Sequence, residues 1–291
     1  MTGANTPRMA DGRTWQTQAT RTIAVIMTCH NRREMTLGCL EALRAQAVDR
    51  ARLSLFVTDD GSTDGTARAI RTVWPDATVL PGTGSLYWAA GMALAEQAAV
   101  ASEPDFLLWL NDDTEFMPNG LQALLALSDD MPGAIIVGAT ADPATGEPTY
   151  GGRLRIDYHP QRLRQLPIST VPQRADTFNG NVVLVPMTAR RAVGPIDGAF
   201  PHAYADDDYG LRATAMGISV IQAPGTSATC RIDHELQPRG RGVRAWRSAQ
   251  NPKGLPWRAQ VRFLRRHGGR LWPLVFVGQQ VKLLVGEKGD S

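Results

Sequence analysis

Cysteine is scarce. The 291 residues include only Cys29, Cys39 and Cys230, and no two are spaced as a CxxC pair. That argues against a disulfide framework or a cysteine zinc module and fits reduced thiols of a cytoplasmic protein. No run of about 18 apolar residues occurs, so a membrane-spanning helix is not expected. Residues 1–20 are polar, carry Arg8 and Arg13, and lack the apolar core of a secretory signal. They read as a disordered leader. No internal repeat or low-complexity tract appears. Acidic side chains are nearly missing from one region. Residues 236–291 hold 12 Lys/Arg against 2 Asp/Glu, a net of +10 in a chain whose total is +3. The remainder is acidic. A basic tail on an acidic body suits an anionic partner for the tail. Nucleic acid is a poor fit, because no recognition motif is present.

What is present is globular: 43% hydrophobic residues and 20% charged, on a chain long enough to bury a sizeable core. The stretches 22–28, 53–58, 77–80, 106–110 and 134–138 are apolar and read as buried strands. Segments with near-helical spacing of Leu, Ile and Ala lie between them, and a helix is expected from Pro118 through Leu127. Strand and helix alternate four times, the pattern of a parallel sheet with helices on both faces. Residues 149–167 read as a basic, hairpin-rich excursion. Residues 177–186 read as a strand broken by Asn179-Gly180-Asn181.

The apolar run Leu107-Leu108-Trp109-Leu110 stops at Asn111-Asp112-Asp113. Open α/β sheets bind ligands beyond the carboxyl ends of their strands. Two acids there suit a hard divalent cation shared with substrate phosphates. A solvated acidic turn is the alternative. Three further polar stretches fall at strand ends or before a helix: Thr28-Cys29-His30-Asn31-Arg32, Asp59-Asp60-Gly61-Ser62-Thr63-Asp64-Gly65-Thr66, and Asp206-Asp207-Asp208-Tyr209-Gly210-Leu211-Arg212.

These four stretches, in this order, resemble the family 2 glycosyltransferases of the GT-A (nucleotide-diphospho-sugar transferase) fold over about residues 22–235. The resemblance implies an α/β domain over residues 21–236, with a donor half to about 140 and an acceptor half from about 141. A basic helical C-terminal extension follows over 237–291. Thr28, Asn31 and Arg32 would border the donor nucleotide, and Asp60 would contact its base. Asp113 would be the last acid of an Asp-X-Asp motif that holds Mg²⁺ or Mn²⁺. Asn111 stands where the family often has the first acid, and Asp112 would sit by the sugar or ribose. Asn179 and Gly180 match a loop at the acceptor and donor sugar. His234 matches a residue that completes the cation shell. Asp206 would be the catalytic base, with Asp207 as the other register. The stretch from Gly84 to Met92 lacks the common Arg-Asn and resembles bacterial rhamnosyltransferase-like enzymes of surface polysaccharides. Trp88 there would face the donor or serve as a core aromatic.

The implied function is metal-dependent, inverting transfer from a UDP- or dTDP-sugar to a glycan or lipid-linked glycan. Trp and Arg interleaved in the tail suit an interfacial helix at the inner face of the membrane. A helical lid packed on the core is the other reading of the tail. Two rival functions are a non-catalytic nucleotide-sugar scaffold and a sugar nucleotidyltransferase. The latter needs a Gly-rich loop after the first strand, which Cys29-His30-Asn31-Arg32-Arg33 does not supply.

Overall fold

The computed structural model describes residues 20–48, 50–157, 159, 161–232, 242–252 and 254–285. His234 and all of the leader except Thr20 lie outside them. The first half alternates β1 (Arg21–Cys29), α1 (Arg33–Arg44), β2 (Ala51–Asp59), α2 (Thr66–Val73), β3 (Thr78–Pro81), α3 (Tyr87–Val100) and β4 (Phe106–Leu110). β5 (Glu115–Phe116), α4 (Gly120–Asp130), β6 (Ile135–Val137) and β7 (Thr140–Ala141) follow. Then come β8 (Gly152–Arg155), β9 (Leu163–Gln165), β10 (Gln173–Ala175), β11 (Thr177–Phe178) and β12 (Val182–Pro186). The remaining elements are α5 (Met187–Val193), α6 (Ala205–Ala215), β13 (Val220–Gln222), β14 (Ala228–Thr229), α7 (Val243–Ala249), α8 (Trp257–His267) and α9 (Trp272–Val285).

Eight strands form the central sheet in the order β10-β13-β6-β12-β4-β1-β2-β3. β4, β1, β2 and β3 run parallel, as do β6 and β13. β12 is inserted antiparallel between β4 and β6, and β10 closes one edge antiparallel to β13. The sheet is therefore mostly parallel, as the alternation predicts. β1 shows why its run is so apolar: Ile23, Val25 and Met27 pack with α1, α2 and α4, while Ala24 and Ile26 pack with α3 and α6. A strand buried on both faces has no position for a polar side chain.

α3 packs close because its inward residues are small. A Cβ on Gly91 would lie 2.2 Å from Thr28 Oγ1. α4 begins at Gly120, two residues after Pro118. Asn119 precedes it at φ +62°, and a Cβ on Gly120 would lie 2.3 Å from the Ser227 carbonyl oxygen. The break at Asn179-Gly180-Asn181 separates two strands in two sheets. β11 pairs with β8 in a small antiparallel sheet, and β12 joins the main one.

α8 packs on the core. Phe263 and Leu264 are fully buried, and the Phe263 ring stacks on Tyr204 at 4.8 Å. Asp208 of α6 accepts from Arg212 Nε at 2.9 Å and Arg266 Nη1 at 2.6 Å, and contacts His267 Nε2 at 2.9 Å. Asp197 pairs with both Arg262 and Arg266. Burial alone would raise the Asp208 pKa. The bond to His267 and the charges of Arg212 and Arg266 outweigh it and hold the carboxyl below its ordinary value. A lowered folded pKa stabilises fully above the unfolded value of about 4, and that contribution is lost as pH falls through the folded value. We therefore expect the melting temperature to drop on acidification below about pH 4. Asp208→Asn should flatten that slope and speed amide exchange in α8, measured by thermal melts and hydrogen exchange.

Candidate active site

The turns after β1 and β2 are tied to each other. Asn31 sits at φ +50°, and its side-chain oxygen accepts from the Thr63 amide at 2.8 Å. Its own amide donates to Ser62 Oγ at 2.8 Å, and the Arg33 amide donates to Asp64 at 3.1 Å. His30 Nδ1 lies 2.6 Å from the Asp60 carbonyl oxygen. β1 and β2 end in register, Cys29 opposite Asp59, so both turns emerge at the same level of the sheet edge.

Asp60 organises the next loop. Its carboxylate accepts backbone N–H bonds from Gly84 at 2.7 Å, Leu86 at 2.9 Å and Tyr87 at 3.0 Å. Oδ2 takes two of these bonds. Oδ1 takes one and keeps a second lone pair for a ligand. The close approach needs Gly82, where a Cβ would lie 2.6 Å from Asp60 Oδ1. Thr28 packs behind this loop against Gly91.

β4 delivers Asn111, Asp112 and Asp113. Arg32 Nη1 reaches across to Asp113 Oδ2 at 2.9 Å and Asp112 Oδ1 at 3.3 Å. Asp112 is buried, and its Oδ2 has no hydrogen-bond partner among the described residues. Burial, chiefly, pushes its pKa up to about 7; Arg32 opposes this and the Asp113 charge adds to it. Asp113 lines a cavity of about 490 Å³ with Arg32, Glu115 and Cys230. Its Oδ1 lies 3.5 Å from Cys230 Sγ.

Asp113 on the cavity wall and the buried Asp112 behind it are carboxylates, the all-oxygen donors that suit a hard cation. Among the described residues no group of three or more His, Cys, Asp or Glu converges on one point. The pair therefore fits an ion that takes its remaining ligands from phosphate and water, as Mg²⁺ commonly does. His234, the other expected ligand, lies outside the described residues.

A second cavity, of about 300 Å³, adjoins this edge and contains Trp88, Asn111, Asn179, Gly180, Asp206 and Asp207. Trp88 Nε1 donates to Asn111 Oδ1 at 2.8 Å, and its ring meets Trp109 edge-on. Trp88 thus joins the core and the cavity at once. Gly180 lies flat on it: a Cβ there would sit 2.5 Å from the Trp88 ring. The Gly180 amide donates to Asp206 Oδ2 at 3.1 Å, and the Asp207 amide to Asp206 Oδ1 at 2.9 Å.

The neighbouring acids differ in use. Asp207 is buried, with both oxygens on Arg153 Nη1 at 2.9 and 2.8 Å. Burial raises its pKa; Arg153 opposes this and the Asp206 charge adds to it. Asp208 is taken by the α8 cations. Asp206 and Asp207 both line the cavity, and Asp206 is held by backbone amides rather than by an arginine.

The fold thus brings Asn111, Trp88, Asn179, Gly180 and Asp206 around one cavity, with Arg32, Asp112 and Asp113 beside it. Asn31 and Asp60 stand on the same edge, engaged with the loops that shape it. Arg153 and Cys230 also belong here and were not singled out by motif. Arg153 is 54 residues from its partner Asp207, a separation that no local spacing reveals.

Comparisons with known proteins bear on the family and the fold. A model of glycosyl transferase family 2 matches residues 24–188. No curated protein matches the chain in sequence. Among solved structures, a mannosyltransferase from Pyrobaculum calidifontis in complex with GDP-Man and Mn²⁺ superposes with a TM-score of 0.56 at 16% identity, over 91% of this chain and 70% of that one. GalNAc-T7 with UDP, GalNAc and Mn²⁺ gives 0.66 at 13% identity, over 98% of this chain and 55% of that one. S. aureus TarS (residues 1–349) gives 0.54 at 13% identity, over 90% and 81%. At these identities the likeness speaks for the fold, and the family match speaks for the activity. Because that match spans more than half of the chain and takes in β1 through β12, the chain belongs to glycosyl transferase family 2 and is a glycosyltransferase of the GT-A type.

Proposed function

We propose that the chain is an inverting, metal-dependent transferase that uses a UDP- or dTDP-sugar, dTDP-rhamnose among the candidates. The acceptor would be a glycan or lipid-linked glycan in cell-surface polysaccharide synthesis, met at the cytoplasmic face of the membrane. The observation that carries this reading is the placement of Asp206, half-exposed, in one cavity with Trp88, Asn111 and Gly180, next to Asp113.

The donor's diphosphate would lie toward Asp113 and Arg32, and its sugar toward Asn111 and Gly180. Mg²⁺ or Mn²⁺ held by Asp113, with Asp112 behind it, would supply charge compensation for the leaving nucleoside diphosphate. Two of the similar structures carry Mn²⁺, which supports a metal here. Asp206 accepts the proton of the acceptor hydroxyl. That oxygen attacks the anomeric carbon from the face opposite the leaving group. The bond to the diphosphate oxygen breaks with its electron pair, and the configuration inverts. The two backbone amides on Asp206 fix its carboxylate plane while one lone pair stays toward the cavity.

The test is a thermal-shift screen of UDP-, dTDP- and GDP-sugars with and without Mg²⁺ or Mn²⁺. A ligand of the folded state must raise the melting temperature. UDP- or dTDP-sugars should do so only with metal. An equal response without metal, or a response confined to GDP-sugars, would contradict the proposal.

A further inference from the structure

α9 is apolar on both of its sides. Leu274, Val277, Val281, Leu284 and Val285 all face outward; Leu274 is 70% exposed and Val281 51%. Leu271, just before the helix, is 66% exposed and extends the stripe. Gln279 and Gln280 point the other way, on the side that also carries the partly buried Trp272, Val275, Phe276 and Leu283. Gln280 accepts from Trp246 Nε1 at 3.0 Å and donates to Gln260 at 3.0 Å. Gln279 donates to Gln161. A helix on a water-facing surface turns its apolar stripe to the core and its amides out. Here a second apolar stripe is left outward and exposed among the described residues, a costly arrangement unless something covers it.

We infer that α9 and the arginines beside it dock on an anionic phospholipid surface, and that this contact holds the acceptor cavity against the bilayer. Charge selects this occupant. Residues 257–285 contain Arg258, Arg262, Arg265, Arg266, Arg270 and Lys282 and no Asp or Glu. Arg262 and Arg266 are committed to Asp197 and Asp208, while the Arg258 guanidinium lies over the exposed Trp257 ring at 5.4 Å. An apolar stripe flanked by Arg and Trp is the composition of a helix lying in the headgroup plane. A second copy of the chain would bring one acid-free basic surface against another, and like charges in an interface disfavour it. Among the described residues no helix is long and apolar enough to cross a membrane, so α9 lies on the surface.

The link to the site is short. Gln161, held by Gln279 of α9, donates to the Tyr204 hydroxyl at 2.9 Å. Tyr204 lines the cavity that holds Asp206, as do Gly254 and Leu255 between α7 and α8. A contact at α9 therefore fixes the cavity wall relative to the lipid. This deepens the proposed reaction, and rests on it for its purpose, by naming a membrane-borne acceptor.

The test is flotation of the full chain with vesicles of phosphatidylcholine alone or with phosphatidylglycerol added. The chain should float only with the anionic vesicles. The double variant Leu274→Ser/Val281→Ser should bind them at least about tenfold more weakly, since two aliphatic side chains leave the interface. Its thermal shift with donor should match the wild type. A chain that stays at the bottom with both vesicles, or a variant that floats like the wild type, would overturn the inference. So would light scattering that shows a wild-type dimer dissociated by the variant while vesicle binding is unchanged. Failure of the donor thermal shift bears on the transfer reaction alone, so the two failures are distinct.

Discussion

Asp206→Asn is expected to lower the rate of sugar transfer about 10²–10⁴-fold, the usual worth of a general base. Donor affinity should stay near that of the wild type, and the melting temperature should fall modestly. The reason is local. Asp206 takes the Gly180 amide on one oxygen and the Asp207 amide on the other, so an asparagine oxygen keeps one of these bonds and loses the other. What is lost is the site for the acceptor's proton. Asp207→Asn is the informative contrast. Burial raises the Asp207 pKa, and a raised carboxyl would suit a base. Geometry overrules this, because Arg153 occupies both of its oxygens. Removing that charge leaves the Arg153 guanidinium with a neutral partner in a largely buried place. The expected cost is stability, roughly 1–3 kcal/mol, with transfer retained at temperatures where the variant is folded. Steady-state kinetics and thermal melts on the two variants separate the roles. Equal loss of rate in both would assign the chemistry to the pair.

The second large effect is expected at Asp113. Asp113→Ala should abolish the metal dependence of nucleoside diphosphate binding and weaken binding in Mn²⁺ at least about tenfold, which is 1.4 kcal/mol or more. The carboxylate is 23% exposed, and among the described residues its Oδ1 meets Cys230 Sγ, so it can turn to a cation without breaking a buried network. Arg32 would keep Asp112 as its partner, at 3.3 Å. The fold should therefore survive, and isothermal calorimetry of UDP and dTDP with and without Mn²⁺ reads the change. Metal-dependent binding that persists in Asp113→Ala would place the ion elsewhere.

Much of this architecture is written locally. β4 spans Phe106–Leu110, where the apolar run stands, because a strand buried on both faces admits nothing else. The turns after β1, β2 and β4 share an edge because parallel neighbours end at the same level, and the polar stretches mark those ends. Other features are set by distant partners. The insertion of β12 between β4 and β6 depends on pairing across more than 40 residues, and it is what carries Gly180 onto Trp88. The apolar residues of α9 look alike in sequence; the packing of the helix turns Phe276 and Leu283 inward and leaves Leu274, Val277 and Val281 exposed. Trp88 was open between donor and core; its ring packs against Trp109, and its indole N–H reaches Asn111 at the cavity.

The central claim is a single displacement at the anomeric carbon, with Asp206 taking the proton of the attacking oxygen. Proton NMR tests it without knowledge of the natural acceptor. The protein is incubated with Mn²⁺ and the donor that stabilises it, and water serves as a slow acceptor. The first anomer of the released sugar is read before it equilibrates. An anomer opposite in configuration to the donor is the predicted result, and it should be absent with Asp206→Asn. Release of the donor's own anomer would contradict the account, because it requires either two displacements or attack from the leaving group's own face, and neither is a single displacement from the opposite face.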